Sequence, residues 1–209
     1  MNINLYWAKT PKNEMNYLAH VYLSGSNPEL AVGNFIADSI KGKQYLDYPP
    51  MMHKGILLHR SIDDFTDKHV IFKKHVSLLF PRYRHYSRVI VDMYYDHFLA
   101  LYWDNYHSDS LEEFSLSFYQ TLEEMQDLFP DSIKRVIPII SKYNWFLSYR
   151  TLSGLENILL QMSTRTKFKS DLHHSIEELE LHYDLIKADF FIFFDALENF
   201  VKNKLEALY

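Results

Sequence analysis

The segment from residue 88 to residue 104, RVIVDMYYDHFLALYWD, constrains the fold more than any other part of the chain. At about 100° per residue its apolar side chains point in almost every direction of a helix, and such a helix is buried. Asp92 and Asp96 nevertheless lie one turn apart on the same side of it. A buried ionised carboxylate is costly unless it is paired or bound to a metal. The segment therefore predicts a central helix with either neighbouring Arg or Lys side chains or a cation against it.

The rest of the chain is typical of helices as well. Only 5 Gly and 7 Pro occur in 209 residues, about half the usual share, so few turns are expected. No segment alternates as a strand would, and the apolar residues from Ile176 to Leu205 recur at steps of three and four. The sequence predicts the all-α class, with seven to nine helices in a single helical bundle-like domain.

Several helix starts can be identified from their capping residues. Asn27 is a good N-cap for a helix with Pro28 at its first position. Ser110 and Glu113 have the spacing of a capping box. The spacing of Ser153 and Glu156 predicts a second capping box.

The composition excludes several classes of site and partner. The chain has no cysteine, which excludes disulfides, thiolate zinc sites, iron–sulfur clusters and thiol nucleophiles. A metal would have to be held by histidine nitrogen and carboxylate oxygen. The net charge of −5 argues against nucleic acid as a partner, and no apolar stretch is long enough for a membrane span. The first residues lack the apolar core of a signal peptide, so we expect a cytoplasmic protein.

A second group of polar residues lies in GILLHRSIDDFTD, residues 55–67. His59 and Asp63 are one turn apart at the edge of an apolar stripe, and Asp67 follows after another turn. Such a pair can bind one ion, or one residue can bind it while the other orients the first. The alternative is an ordinary surface pair, worth a few tenths of a kcal/mol. Arg60 points away from this pair and could hold an anionic substrate oxygen.

Two further segments place polar groups among apolar ones. Asn34 and Asp38 are one turn apart in GNFIADSIKG, where Gly33 indicates a close approach by another element. His20 is the titratable residue of NYLAHVYL. Carboxylates with one or two imidazoles suit Mn²⁺, Mg²⁺ or Fe better than structural zinc, and facing helices of a bundle are where such sites are built.

Four motifs in this order, MNYLAHVYL, GNFIADSIKG, GILLHRSIDDFTD and VDMYYDHFL, resemble the acyl carrier protein phosphodiesterases. WFLSYR (145–150), MSTR (162–165) and HYD (182–184) fit the same family. The resemblance implies a distorted, all-helical HD-domain fold. It also implies hydrolysis of the phosphodiester between 4′-phosphopantetheine and the serine of holo-acyl carrier protein, with Mn²⁺ as cofactor and Mg²⁺ as a substitute.

The resemblance begins at Met15, which divides the chain into an extension or upstream start (1–14) and one phosphodiesterase domain (15–209). The family's motifs fall on residues already singled out, without departure. They are His20, Asn34, Asp38, His59, Arg60, Asp63, Asp67, Asp92, Asp96 and His97.

The resulting hypothesis is metal-assisted phosphodiester hydrolysis. One or two cations would activate a water and neutralise phosphoryl charge. Asp63 or Asp96 would take the proton of the water, and Arg60 would stabilise charge in the transition state. The predicted metal ligands are His20, Asp38, His59, Asp63, Asp92 and Asp96.

Two other functions stay open from the sequence. The chain could be another HD-type phosphohydrolase that acts on a nucleotide, or a helical metal-binding or interaction protein without catalysis. An acidic carrier protein as partner requires a local basic patch, because this chain is acidic too. The candidate patches are Lys41, Lys43 and Lys54; Arg82, Arg84 and Arg88; and Arg165, Lys167 and Lys169. The sequence does not indicate an oligomeric state.

Overall fold

The structure, a computed structural model, describes residues 17–164 and 170–207. Within these ranges all regular structure is helical, which confirms the all-α prediction. Six short 3₁₀ helices lie between the α-helices, among them Ala37–Ser39 and Gln44–Asp47. The α-helices are α1 (Tyr17–Tyr22), α2 (Pro28–Ile36), α3 (Pro50–Lys68), α4 (Val70–Tyr83), α5 (Ser87–Leu101), α6 (Leu111–Glu124), α7 (Asp131–Lys134), α8 (Ile137–Tyr143), α9 (Trp145–Ser148), α10 (Leu152–Ser163), α11 (Ser175–Leu181) and α12 (Tyr183–Glu206).

The described residues thus contain twelve α-helices, more than the seven to nine predicted. Seven of them have nine residues or more, and the other five have four to seven. Three of these five short helices lie between residues 131 and 148, where Pro130 and Pro138 interrupt the chain. Periodicity detects a stripe of apolar residues but does not resolve such breaks within it.

The predicted helix starts are largely correct. Asn27 Oδ1 accepts the amide of Leu30 at 3.0 Å. Ser110 and Glu113 form the predicted capping box at the start of α6. The second capping box is wrong, because Thr151 caps α10 by accepting the amide of Gly154 at 3.1 Å. Thr151 precedes Ser153 by two residues and already satisfies the amide that the N-cap must satisfy.

Helices α2 and α3 cross in very close contact. A Cβ atom added at Gly33 would lie 2.1 Å from the carbonyl oxygen of Met52. One added at Gly55 would lie 2.1 Å from the carbonyl oxygen of Leu30. The absence of a side chain at both positions lets the two backbones touch. This crossing brings the polar residues of α2 against those of α3, as the interior position of Gly33 predicts.

Helix α5 lies in the centre of the molecule, and twelve of its fifteen residues are buried. It packs against α1, α4, α10 and α12. The predicted apolar stripe of α12 faces the core through Ile186, Phe190, Phe193, Leu197 and Val201. Among the described helices, none is long and apolar enough to cross a membrane.

Candidate metal centre

Two helices and one 3₁₀ turn bring four of the predicted polar residues together. Helix α1 supplies His20, and the turn Ala37–Ser39 supplies Asp38. Helix α3 supplies His59 and Asp63 from consecutive turns of the same face. The two imidazole rings stack, with centroids 4.0 Å apart and an interplanar angle of 20°. The crossing of α2 and α3 and the packing of α1 on α2 therefore build a cluster that no single segment contains.

The side chain of Asn34 lies between the two imidazoles and is fully buried. Its Oδ1 is 3.0 Å from Nδ1 of His20 and 3.0 Å from Nδ1 of His59. Its Nδ2 donates to the carbonyl oxygen of His20 at 2.8 Å and to Oγ of Ser24 at 2.9 Å. These two donated bonds fix which end of the amide faces the rings.

The Asn34 contacts determine the tautomer of both histidines. Because an amide oxygen only accepts hydrogen bonds, Nδ1 of His20 and Nδ1 of His59 must both carry a hydrogen. In the neutral imidazole the lone pair is then on Nε2. A second group that orients the ring through its other nitrogen is typical of metal-binding histidines.

Both Nε2 atoms face carboxylates. His20 Nε2 is 3.4 Å from Asp63 Oδ1, and His59 Nε2 is 3.2 Å from Asp63 Oδ2. Asp38 Oδ1 lies 3.3 Å from the same nitrogen of His59. Potential ligand atoms of His20, His59 and Asp63 all lie within 4.8 Å of one another. Two imidazole nitrogens with carboxylate oxygens form a donor set that fits Mn²⁺ or Fe²⁺, and less closely Mg²⁺.

The charges of this cluster are strongly coupled. Burial acts to lower the pKa of His59, but hydrogen bonds and the charges of Asp38 and Asp63 outweigh it and raise this pKa to about 10. Burial and the neighbouring His59 lower the pKa of His20. Burial would raise the pKa of Asp63, yet the two imidazoles hold it well below its usual range. Without a metal, one proton is therefore held on His59, between two carboxylates.

A cavity of about 230 Å³ opens beside the cluster. The cavity is lined by His20 and Asp63 from the cluster, together with Asp92 from α5. Asp67 and Arg88 also line it and form an ion pair with each other. The lining further includes the apolar side chains of Ile62, Phe72, Phe193, Phe194 and Leu197. The cavity can therefore hold a small charged group with an aliphatic substituent.

Asp96 lines this cavity but is also bonded to the start of α1. Its Oδ2 accepts the amide of Leu18 at 3.1 Å, and its Oδ1 accepts the amide of Ala19 at 2.9 Å. Both amides belong to the first turn of a helix, where they have no partner within the helix. Burial nevertheless raises the pKa of Asp96 to about 7. Asp96 thus fixes the helix that carries His20, and its predicted role as ligand or base stays a prediction.

Arg60 lies on α3 next to His59, but its guanidinium points to the chain after Asp38. Nη2 donates to the carbonyl oxygen of Ile40 at 3.0 Å, and the guanidinium lies 5.1 Å from the ring centroid of Tyr45. These contacts hold the segment that carries Asp38 against α3. The predicted contact of Arg60 with substrate charge stays a prediction.

Other predicted residues lie apart from the cluster. His97 is buried, and its Nδ1 donates to the carbonyl oxygen of Tyr149 at 2.8 Å. It therefore joins α5 to the segment after α9, the packing role that the sequence left open. Residues 1–14 and the basic residues Arg165, Lys167 and Lys169 lie outside the described residues.

Sequence reasoning assigned no role to Asn34 or Arg88 within the site. In the sequence Asn34 stands out as a polar residue one turn before Asp38 and as a position of the family's motifs, without a predicted contact. Its position four residues before a carboxylate, in a helix that a glycine brings against another, was the available signal. Arg88 was placed in a surface basic cluster, although it stands one turn before Asp92 and hence on the same helix face.

Comparison with known proteins points to the same family as the sequence motifs. The family model described as acyl carrier protein phosphodiesterase matches residues 15–197. The chain belongs to the acyl carrier protein phosphodiesterase family. The chain is therefore a member of a family of phosphoric diester hydrolases.

Curated relatives cover almost the whole chain. A protein from Klebsiella pneumoniae (strain 342) is 28% identical over 194 residues, which are 91% of this chain and 99% of the relative. One from Photorhabdus laumondii is 28% identical over 91% of this chain and 96% of its own length. One from Escherichia coli (strain K12 / DH10B) is 29% identical over 88% of this chain and 95% of its own length. All three carry the name acyl carrier protein phosphodiesterase. No solved structure matches the chain significantly.

Proposed function

We propose that this protein hydrolyses the phosphodiester that joins 4′-phosphopantetheine to the serine of holo-acyl carrier protein. Water adds to phosphorus, the bond from phosphorus to the serine oxygen breaks, and the serine recovers a proton. The products are apo-acyl carrier protein and 4′-phosphopantetheine. The observation that carries the proposal is the cluster of His20, His59 and Asp63 beside a cavity, in a chain of this family.

In this proposal His20, His59 and Asp63 hold a divalent cation, and Asp38 completes the ligands beside His59. The cation, Mn²⁺ with Mg²⁺ or Fe as substitutes, lowers the pKa of a bound water and neutralises phosphoryl charge. Asn34 keeps both Nε2 lone pairs directed at the cation. Asp92 shares the cavity wall with Asp63, and takes the proton of the attacking water or adds a further ligand.

The apolar part of the cavity lining supports an aliphatic substrate arm. The phosphoryl group would lie beside His20 and Asp63, and the branched aliphatic start of the pantetheine arm would contact Phe193, Phe194 and Leu197. Apolar surface removed from water stabilises such a complex by about 25 cal/mol per Å².

We also propose that residues 15–209 form one domain with a distorted HD-type arrangement. The cytoplasmic location stays a prediction.

An acidic carrier protein requires positive charge near the cavity. Lys41 and Lys43 are exposed on the loop directly after Asp38. In the cluster around residue 84, Arg82 is paired with Glu177 and Glu178, and Arg88 is paired with Asp67. We therefore propose that the carrier approaches through Lys41 and Lys43. Salt should slow the reaction, because it screens attraction between exposed charges.

The test is incubation of the purified protein with holo-acyl carrier protein and Mn²⁺, followed by intact-mass analysis of the carrier. We expect loss of the 4′-phosphopantetheine group with Mn²⁺ and no loss after chelation. A panel of nucleotide phosphodiesters and monophosphates is tested in parallel. No loss from the carrier at stoichiometric enzyme would contradict the proposal, and turnover of a nucleotide alone would support the alternative phosphohydrolase.

A further inference from the structure

The cavity beside the cluster of His20, His59 and Asp63 is lined by one guanidinium, that of Arg88. Of the described side chains that line the cavity, Arg88 is the only Arg or Lys. Asp63, Asp67 and Asp92 line it as well, so carboxylates outnumber the guanidinium in the lining. A phosphodiester anion would be repelled by these carboxylates unless positive charge lay within the cavity.

Arg60, the arginine that the motifs point to, is turned away from the cavity. Its guanidinium donates to the carbonyl oxygen of Ile40 and stacks on Tyr45. Arg88 stands instead on α5, one turn before Asp92. Its Nη1 forms an ion pair with Asp67 Oδ1 across the gap between α5 and α3. Half of the Arg88 side chain is exposed although it lines the cavity, as expected for a group at the cavity entrance.

We propose that Arg88 binds a non-bridging phosphoryl oxygen of the substrate and that Asp67 holds the guanidinium in place for it. This inference rests on the proposed function for the identity of the substrate. The guanidinium has five N–H donors in a fixed fork, so one can remain on Asp67 while others bond to the phosphoryl group. Bonds of this kind between ionised groups are stronger than neutral ones.

Mn²⁺ and phosphate have opposite charges, so a change of charge at Arg88 should affect their binding in opposite ways. Arg88→Gln removes a positive charge that repels a metal and attracts a phosphate. We expect inorganic phosphate to bind the Mn²⁺-loaded variant roughly 10- to 100-fold more weakly by calorimetry. Mn²⁺ itself should bind the variant as tightly as the wild type or more tightly. A residue that only supports the fold would weaken both.

Arg82→Gln is the matched control, because Arg82 is equally exposed and also forms ion pairs, with Glu177 and Glu178. It should leave phosphate and Mn²⁺ binding unchanged. Asp67→Asn keeps the Arg88 guanidinium but removes the carboxylate charge that holds it in place. We therefore expect phosphate affinity to fall by a few fold. Unchanged phosphate binding in Arg88→Gln, or parallel loss of Mn²⁺ binding, would overturn the proposal.

The phosphate measurement separates this inference from the proposed function. Phosphate binding does not require the carrier protein, so it tests Arg88 even if wild-type protein leaves holo-acyl carrier protein intact. Where the carrier is hydrolysed, Arg88→Gln should lower kcat/KM by a similar factor of roughly 10 to 100. A wild-type level of kcat/KM in that variant would count against the inference alone.

Discussion

Two pairs of histidines are buried to the same degree in this protein but have different surroundings. His20 and His59 are 3% and 4% exposed, and His75 and His97 are 1% and 2% exposed. In the first pair, a neutral amide bonds Nδ1 of each ring and leaves Nε2 facing carboxylates. In the second pair, both nitrogens of each ring have protein groups within hydrogen-bond distance.

The second pair shows what a packing histidine looks like here. His75 Nδ1 is 2.8 Å from the hydroxyl of Tyr95, and its Nε2 is 3.0 Å from Asp189 Oδ2. His97 bonds the carbonyl oxygen of Tyr149 and has the hydroxyl of Tyr183 at 3.5 Å. Burial of an imidazole is therefore not a sign of a metal site. The informative feature is a nitrogen whose partner is a carboxylate at the wall of a cavity.

The largest expected effect is the loss of a ligand from the first pair. His59→Ala should lower Mn²⁺ affinity by more than the roughly 10- to 100-fold that the hydrogen-bond partners of ligands contribute. Hydrolysis of the holo-carrier should fall with it. His97→Gln, which can still donate to the carbonyl oxygen of Tyr149, is the control and should retain both. Metal content and turnover of the purified variants measure the difference. Equal losses in the two variants would contradict the distinction between a metal-binding pair and a packing pair of histidines.

A smaller effect is expected from Asn34, which touches both rings of the first pair. Asn34→Ala removes the acceptor that fixes the tautomers, so Mn²⁺ affinity should fall roughly 10- to 100-fold. Asn34→Asp keeps an acceptor for both rings and should lose less metal affinity than Asn34→Ala. Calorimetry with Mn²⁺ ranks the variants. The reverse order would mean that the amide acts through the backbone of α1 instead of through the rings.

In the second pair the expected effect is on stability alone. His75→Leu leaves the buried hydroxyl of Tyr95 without its partner, which costs about 1–3 kcal/mol in the free energy of unfolding. Asp189 keeps its ion pair with Lys74 at 2.6 Å. Urea unfolding measures the loss, and Mn²⁺ affinity should stay at the wild-type value. A marked loss of Mn²⁺ binding would link His75 to the metal centre.

The pH dependence of stability should have opposite signs at His59 and in the second pair. In the metal-free protein Asp38 and Asp63 raise the pKa of His59 to about 10, against burial. Stability from this proton is complete below the unfolded pKa of about 6.5 and is lost as pH rises toward 10. Burial lowers the pKa values of His75 and His97, so their regions lose stability as pH falls below about 6.5.

Unfolding free energies of wild type and His59→Ala between pH 6 and 10 test this sign. Their difference should shrink as pH rises, because the stabilising proton leaves His59. Mn²⁺ must displace the same proton, so its affinity should increase over that range. A difference that grows with pH would contradict the assignment of the proton to His59.

The sequence predicted the site better than it predicted the roles within it. One-turn spacing placed His59 with Asp63, since residues four apart share a helix face. Asn34 and Asp38 do not share one, because α2 ends at Ile36 and Asp38 lies in the 3₁₀ turn that follows. Spacing alone did not show that Asp96 bonds the first amides of α1 or that Arg60 turns to Ile40. Both partners come from segments far away in the chain. The missed cap at Thr151 is different, because two residues that can cap a helix, Thr151 and Ser153, lie only two positions apart.

By itself the sequence determined the helical class, the central position of α5 and the set of residues from which a metal centre can be built. These follow from local periodicity and from the cost of burying charge, which act wherever the segment packs. Only the tertiary structure decided which groups meet. The crossing at Gly33 and Gly55 places Asn34 between His20 and His59, and the α3–α5 gap pairs Arg88 with Asp67. Such contacts depend on the distance and orientation of whole helices, which no local pattern encodes.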